Sequence, residues 1–215
     1  MTLTEIKKQL ADLPRTSFGI SVPHLRKLAA QIARKDYQTL IEHNDYSSFE
    51  LKLLHAFTIG YIKADIDVLL KYFADFIPYV DDWGINDSLC QNFKIARRFP
   101  EKVWQFLHPL MSSPREFESR IVAVMLLSHY LNDDYIKRVI KVFDSLSTNA
   151  YYSQMGVAWG LATVMGKYPH LCLQYLNSSS CRLDDATWSK TLQKIRESYR
   201  VSAEIKQSLG QIRRP

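Results

Sequence analysis

A helical repeat of about 34 residues constrains the fold of this chain more than any other feature. Five segments each open on a large apolar residue and continue with apolar residues at helical spacing; they begin at residues 49, 83, 117, 155 and 188. This spacing is typical of two-helix units that stack into a solenoid. The stretches between the segments predict the second helix of each unit, at residues 67–80, 100–111, 133–146 and 169–177.

The composition agrees with an all-α chain. Its 215 residues include only 7 Gly and 8 Pro, where average usage is about 7% and 5%. Asn-Gly and Asp-Gly dipeptides are absent, and no sustained run alternates apolar with polar residues, so sheets are not expected. We therefore predict an all-α helical-repeat solenoid that forms a single domain over residues 1–215.

Helix starts are marked by a few polar residues. Ser21 is a candidate N-cap with Pro23 in the first turn of the helix that follows. Asp65 and Asp133 are candidate N-caps of two later helices.

Several classes of protein are disfavoured by the residues that the chain lacks. The charged residues among the first 14 exclude the apolar core of a secretory signal, and no uncharged apolar run is long enough to span a membrane. The three cysteines have no Cys-x-x-Cys spacing, and no His-Glu-x-x-His pair or Gly-rich phosphate loop occurs. We expect a cytoplasmic monomer that needs no metal or cofactor.

A net charge of +6 and a pI near 9.1 allow a phosphate-binding face. Lys and Arg gathered on one face of a solenoid release counterions when they meet a nucleic-acid backbone. The alternative is an ordinary solvated surface, because scattered basic residues are common on soluble helices. Candidate DNA-binding residues in this charge pattern are Lys94, Arg97, Arg98 and Lys194.

Four residues lie at nearly equivalent positions of three successive repeats: Trp83 and Asp87 in one, Arg120 in the next and Trp159 in the one after. Because stacked repeats turn equivalent faces the same way, we expect them on one concave, partly basic surface. Two indoles, a carboxylate and a guanidinium suit a cationic ligand beside a phosphate. Structural readings stay open, since tryptophan usually fills cores and Asp87 and Arg120 can form an ion pair. Tyr152 is a further candidate for stacking.

The same residues carry a resemblance to a known family. The segments GISVPHLRKLA, ESRIVAVMLL, YYSQMGVAWGL and KIRESYRVS, together with Trp83 and Asp87, resemble the DNA alkylation repair proteins of the AlkD-like type. The similarity runs from about Gly19 to Val201. It implies a HEAT-like helical solenoid (an alpha-alpha superhelix), a fold on which some members are DNA glycosylases.

The resemblance also implies roles for individual residues. A family glycosylase excises positively charged N3- or N7-alkylated purines from double-stranded DNA, without a metal. Asp87 matches the catalytic aspartate, Trp83 and Trp159 match the indoles that flank the lesion, and Arg120 would hold a phosphate. The alternative is a non-catalytic module that binds DNA structures or a protein partner, because Ala162 stands where some active members have an arginine.

Overall fold

The computed structural model describes residues 2–17, 19–43, 45–146, 150–210, 212 and 214. Short 3₁₀ turns at Ile77–Tyr79, Lys94–Arg97 and His108–Ser112 follow the fifth, sixth and seventh α-helices. The α-helices, numbered α1 to α13 in chain order, are Leu3–Ala11, Val22–Lys35, Gln38–His43, Phe49–Tyr61, Ile66–Phe76, Trp83–Asn92, Pro100–Leu107, Glu116–His129, Ile136–Ser145, Tyr151–Lys167, Pro169–Leu176, Asp185–Glu197 and Ala203–Ser208. The predicted all-α helical repeat is confirmed.

The chain divides into two compact units, Met1–Val103 and Trp104–Pro215, and each is described by itself. In the first unit, α2, α4 and α6 pack against one another in sequence, and α5 packs against α4. In the second unit, α8, α10 and α12 pack in the same consecutive manner, with α9 and α11 against α10. We call α2, α4, α6, α8, α10 and α12 the inner helices. The single domain over residues 1–215 stays a prediction.

The repeat predicted from the sequence matches the observed helices closely. Helices α4 and α6 begin at the predicted residues, Phe49 and Trp83, whereas α8, α10 and α12 begin between one and four residues earlier than predicted. The second helices of the units correspond to α5, α7, α9 and α11. The first two of these end in 3₁₀ turns, so the predicted ranges include both kinds of helix.

The two helices of one repeat differ in how much of their surface is buried. The α8 run from Ile121 to Leu126 is buried on all sides, as expected for a helix that is apolar all round. Helix α9 buries only Ile136, Val139, Ile140 and Phe143. The last three follow Ile136 by three, four and seven residues, so the four side chains form one apolar stripe along the helix. The inner helices α4, α8 and α10 each bury more residues than the helix that follows them in the repeat.

Two of the predicted helix caps differ in detail from the structure. Ser21 precedes α2, but its hydroxyl contacts the His24 ring (Oγ to Nδ1, 2.9 Å) and makes no capping hydrogen bond. The prediction for Asp133 is wrong, because α9 begins at Ile136 and Asp133 accepts a hydrogen bond from the Tyr168 hydroxyl instead. Asp65 lies at the N-cap position of α5 without a side-chain capping bond.

A short antiparallel hairpin departs from the expectation that sheets are absent. Arg15–Thr16 (β1) pairs with Gly19–Ile20 (β2), two residues in each strand. Gly19 has a φ of +106°, which a residue without a Cβ adopts readily. The hairpin precedes α2 and does not extend into a larger sheet within the described residues.

The first unit is held together by a close approach of α4 and α6. Asn92 is buried at the end of α6, and its side-chain nitrogen donates to the carbonyl of Phe57 in α4 at 2.8 Å. Its side-chain oxygen accepts from Arg26 of α2 at 3.3 Å, and the Arg26 guanidinium lies 4.2 Å from the centre of the Phe57 ring. Gly60 provides the space, because a Cβ there would lie 2.5 Å from the backbone oxygen of Asn92.

We expect Gly60→Ala to destabilise the protein because the added methyl group meets backbone that cannot rotate away. Overpacking of this kind costs about 1–3 kcal/mol. Urea denaturation measures the loss in the free energy of unfolding. Gly210→Ala is the control, since a Cβ there meets its nearest neighbour at an ordinary 3.6 Å. Equal stability of the Gly60 variant and the wild type would show that α4 and α6 are not locked at this point.

A buried histidine lies in the same unit. His55 of α4 stacks on Phe76 of α5 with 4.3 Å between ring centres. Burial lowers the pKa of His55 to about 3, against a smaller opposing effect of a hydrogen bond to the Leu40 backbone. The folded protein therefore keeps this ring neutral at pH 7, whereas an unfolded chain binds a proton there below a pH of about 6.5.

Because the folded-state pKa of His55 is depressed, its contribution to stability is complete above about pH 6.5 and decreases as pH falls toward 3. Between pH 7 and pH 5 we expect this residue to remove about 2 kcal/mol from the free energy of unfolding. The measurement compares urea denaturation of the wild type and His55→Gln at both pH values. The variant should lose about 2 kcal/mol less; identical losses would contradict a neutral, buried His55.

Candidate functional site

Helix α6 presents an indole and a carboxylate on one side. The side chain of Asp82 accepts a hydrogen bond from the Gly84 backbone N–H at 2.6 Å, which makes Trp83 the first residue of the helix. The Trp83 side chain is 52% exposed, and Asp87, one turn later, is partly exposed. Residues four apart are neighbours on a helix surface. The predicted pairing of these two residues is therefore compatible with the geometry of α6.

Phe49 is a candidate that the sequence analysis did not single out. It begins α4 as Trp83 begins α6, and its side chain is 46% exposed. A Cβ at Gly84 would lie 3.4 Å from the tip of the Phe49 ring, so this ring lies against the first turn of α6. The repeat itself contained the signal, because Phe49 occupies the same position as Trp83 one unit earlier. The adjacent Glu50 lies 3.7 Å from Arg15 in an ion pair.

Exposure separates the four tryptophans of the chain into two kinds. Trp104 and Trp188 are each only 7% exposed and fill cores. Trp83 is exposed, and Trp159, in α10 of the second unit, is partly exposed. The two tryptophans that the sequence singled out are thus the two whose indoles reach the surface.

Arg120 and Tyr152 join two inner helices of the second unit. Arg120 of α8 is only 6% exposed, and it donates to the Tyr152 carbonyl at 2.9 Å. Gly156 of α10 lies against the same helix, because a Cβ there would lie 3.2 Å from the Ala123 Cβ of α8. Tyr152 stacks on Phe117 with 5.6 Å between ring centres, while Glu116 accepts from its backbone N–H at 2.6 Å. Both residues thus have structural contacts, and their roles toward DNA stay predictions.

The predicted basic residues differ in their surroundings. Lys94, Arg97 and Arg98 are exposed in the turn that follows α6. Trp83 lies at the other end of that ten-residue helix, roughly 15 Å away along its axis. Lys194, in the second unit, donates to Glu197 at 2.9 Å and thereby lowers the pKa of that carboxyl group. The three residues after α6 are thus exposed beyond the end of the helix that Trp83 begins, and the contacts of all four basic residues with phosphate stay predictions.

Within the described ranges, no three His, Cys, Asp or Glu side chains are grouped so that they could hold a metal ion. None of the helices in this part of the chain is both long and apolar enough to cross a membrane.

The fold and the α6 surface define an all-α repeat protein with an exposed indole beside a carboxylate. Comparison with known families matches residues 7–195 to the family described as DNA alkylation repair enzyme. The chain belongs to this DNA alkylation repair enzyme family, which confirms the resemblance found in the sequence and supports a role in DNA repair. No curated protein and no solved structure matches the chain.

The exposure of Trp83 predicts that its removal costs little stability. We expect Trp83→Ala to lower the free energy of unfolding by less than about 1 kcal/mol. The matched control is Trp188→Ala, in which loss of a buried indole should cost about 3–5 kcal/mol. Urea denaturation of the two variants makes the comparison. A cost for Trp83→Ala as large as that for Trp188→Ala would identify Trp83 as a packing residue.

Proposed function

We propose that this protein is a monofunctional DNA glycosylase that removes positively charged N3- and N7-alkylated purines from double-stranded DNA. The observation that carries the proposal is the surface of α6, where an exposed indole lies one helical turn from a carboxylate. The family assignment supports DNA repair, and these two side chains suit the chemistry that removal of a cationic base requires.

In the proposed reaction, the bond between the deoxyribose C1′ and the purine nitrogen breaks, and its electron pair leaves with the base. The departing purine becomes neutral, because alkylation had made it cationic, and positive charge develops on the sugar. Water adds to C1′ and releases a proton to the solvent, leaving an abasic site and free alkylpurine. Asp87 contributes a negative charge that stabilises the developing oxocarbenium ion and orients the attacking water.

The aromatic residues suit the charge of the lesion. An indole face attracts a cation by about 0.5–2 kcal/mol, and Trp83 has the exposure that such a contact needs. Phe49 adds a second apolar ring beside the first turn of α6. We assign Trp159 the corresponding role for the second unit, where its indole is partly exposed.

DNA binding requires cations at the surface. We assign phosphate contacts first to Lys94, Arg97 and Arg98, which are exposed at the end of α6. Lys194 can contribute if its ion pair with Glu197 opens. For Arg120, burial and the bond to the Tyr152 carbonyl favour a positioning role between α8 and α10.

The central test is Asp87→Asn, which removes the charge and preserves the shape of the side chain. We expect single-turnover release of free base from duplex DNA containing N-methylated purines to fall by at least about 100-fold. The control is Asp81→Asn, a carboxylate that is exposed just before α6 and paired with Lys52. If the folded Asp87 variant released free base as fast as the wild type, Asp87 would not have the assigned catalytic role.

A second candidate function is a non-catalytic module that binds DNA. It is favoured by Ala162, a buried residue of α10 three positions after Trp159 that provides no cation for a phosphate. If the wild type releases no base while an active glycosylase does so on the same substrate, this function takes precedence. DNA affinity should then fall steeply with salt, whereas salt-insensitive binding would point to a protein partner.

A further inference from the structure

An open cavity of about 550 Å³ lies in the first unit, on α3, α5 and the segment that follows α3. Its walls combine three tyrosines with three charged side chains. The residues that carry the argument below are Glu42, Tyr46, Lys71, Tyr72, Asp75 and Tyr79. None of them belongs to the α6 surface or to its proposed reaction.

Tyr46 has an unusual backbone. Its φ is +50°, and no other non-glycine residue in the described part of the chain has a positive φ. A residue with a bulky side chain pays about 1–3 kcal/mol for this conformation, and such strain persists only where the surroundings enforce it. Here the Tyr46 ring stacks on Tyr79 with 3.7 Å between centres and an angle of 17°. The strained backbone thus places the ring in the cavity wall.

The Tyr46 ring is uncharged and packs against other rings of the first unit. Burial raises the pKa of Tyr46 to about 12, so its phenol stays protonated at neutral pH. The ring also lies 5.7 Å from Phe76 and 5.4 Å from the neutral His55. Tyr79 is exposed on the outer side of the stack. Because Tyr46 and Tyr79 cover each other's facing sides, the open ring face that this stack offers a cation is the outer face of Tyr79.

The charges of the cavity are mainly negative. Glu42 and Asp75 contribute carboxylates, and Lys71 is the ammonium group that pairs with Asp75 at 2.5 Å. Two carboxylates against one ammonium leave one negative charge in a protein whose net charge is +6. Burial and the neighbouring Tyr37 raise the pKa of Tyr72, and the Glu42 carboxylate raises it further, as expected for a carboxylate near that ring. Negative charge and aromatic rings occur at the same cavity.

We propose that this tyrosine cavity binds a methylated ammonium group. Aromatic faces attract a cation electrostatically, and recognition of quaternary ammonium groups by several rings is the characteristic use of this interaction. Methyl groups reduce the hydration of the cation, so an apolar aromatic wall can replace its water while Glu42 supplies the opposite charge. Lys71 forms its hydrogen-bonded ion pair with Asp75, and Glu42, which also lies near Lys71, supplies the second carboxylate of the cavity for the ligand.

The methylated ammonium group that binds in the cavity can belong to either of two kinds of molecule. A methylated ammonium group occurs on free small molecules and on methylated lysine side chains of proteins, and the cavity has room for part of either carrier. Choline represents the first source. A short peptide that contains trimethyllysine represents the second, with the same peptide carrying unmodified lysine as its control.

The experiment is a titration of the whole protein, followed by NMR chemical shifts of the backbone amides at residues 42–46 and 71–79. We expect choline to bind saturably and at least about 10-fold more tightly than its neutral isostere 3,3-dimethylbutan-1-ol, because only the charge differs. A peptide that binds through trimethyllysine more tightly than choline supports the protein source, and equal affinity supports the small molecule.

Variants locate the binding. Tyr79→Ala and Glu42→Gln replace exposed side chains and should each weaken choline binding by at least about 3-fold, within the range expected for one cation–π or surface charge contact. Tyr199→Ala, which removes a fully exposed tyrosine of the second unit, should leave it unchanged. Equal affinity for the neutral isostere, or unchanged binding by both cavity variants, would overturn the proposal.

Discussion

Within each unit, the close approach of consecutive inner helices is the contact on which the rest of the structure depends. In the first unit, Gly60 lets α4 meet α6 so closely that Asn92 reaches the Phe57 carbonyl. In the second, Gly156 of α10 faces Ala123 of α8, whose Cβ would lie 3.2 Å from a Cβ at residue 156. In both places a glycine lies in the contact, and a buried polar side chain donates to a carbonyl of the neighbouring helix. These contacts restrict the rotation of α4 against α6 and of α8 against α10.

That rotation and the position along the helix together decide which residues of α6 reach solvent. At about 100° per residue, Ile85, Leu89 and Asn92 lie on the opposite side of the helix from Trp83 and are buried in the first unit. Cys90, two turns after Trp83 and on its side, is buried as well. Trp83 is exposed at the first turn, and Asp87, one turn later on the same side, is partly exposed. The candidate site is thus confined to the first two turns of α6.

The surface charges act more locally than a net charge of +6 implies. Many basic side chains pair with carboxylates, as Lys52 does with Asp81 and Lys194 with Glu197. Such exposed pairs contribute little to stability, but they reduce the charge available to a phosphate. Meanwhile the tyrosine cavity carries a negative charge on a basic protein. A net charge therefore describes neither the phosphate-binding candidates nor the cavity.

The sequence by itself determined the repeat and the helix order, because apolar residues at helical spacing recur in every unit and need no tertiary information to be recognised. The resemblance to the family rests on an ordered set of segments that can likewise be compared without a structure. The sequence also singled out Trp83 and Asp87 as candidates, whose spacing places them on one face of any helix.

Only the tertiary structure decided which indoles are exposed and that Arg120 is buried against Tyr152. It also decided that Phe49 lies beside the first turn of α6 and that three tyrosines line one cavity. These properties depend on contacts between residues far apart in the chain. Neither the composition of a segment nor its periodicity specifies those contacts, because many rotations and neighbours are compatible with the same apolar stripe.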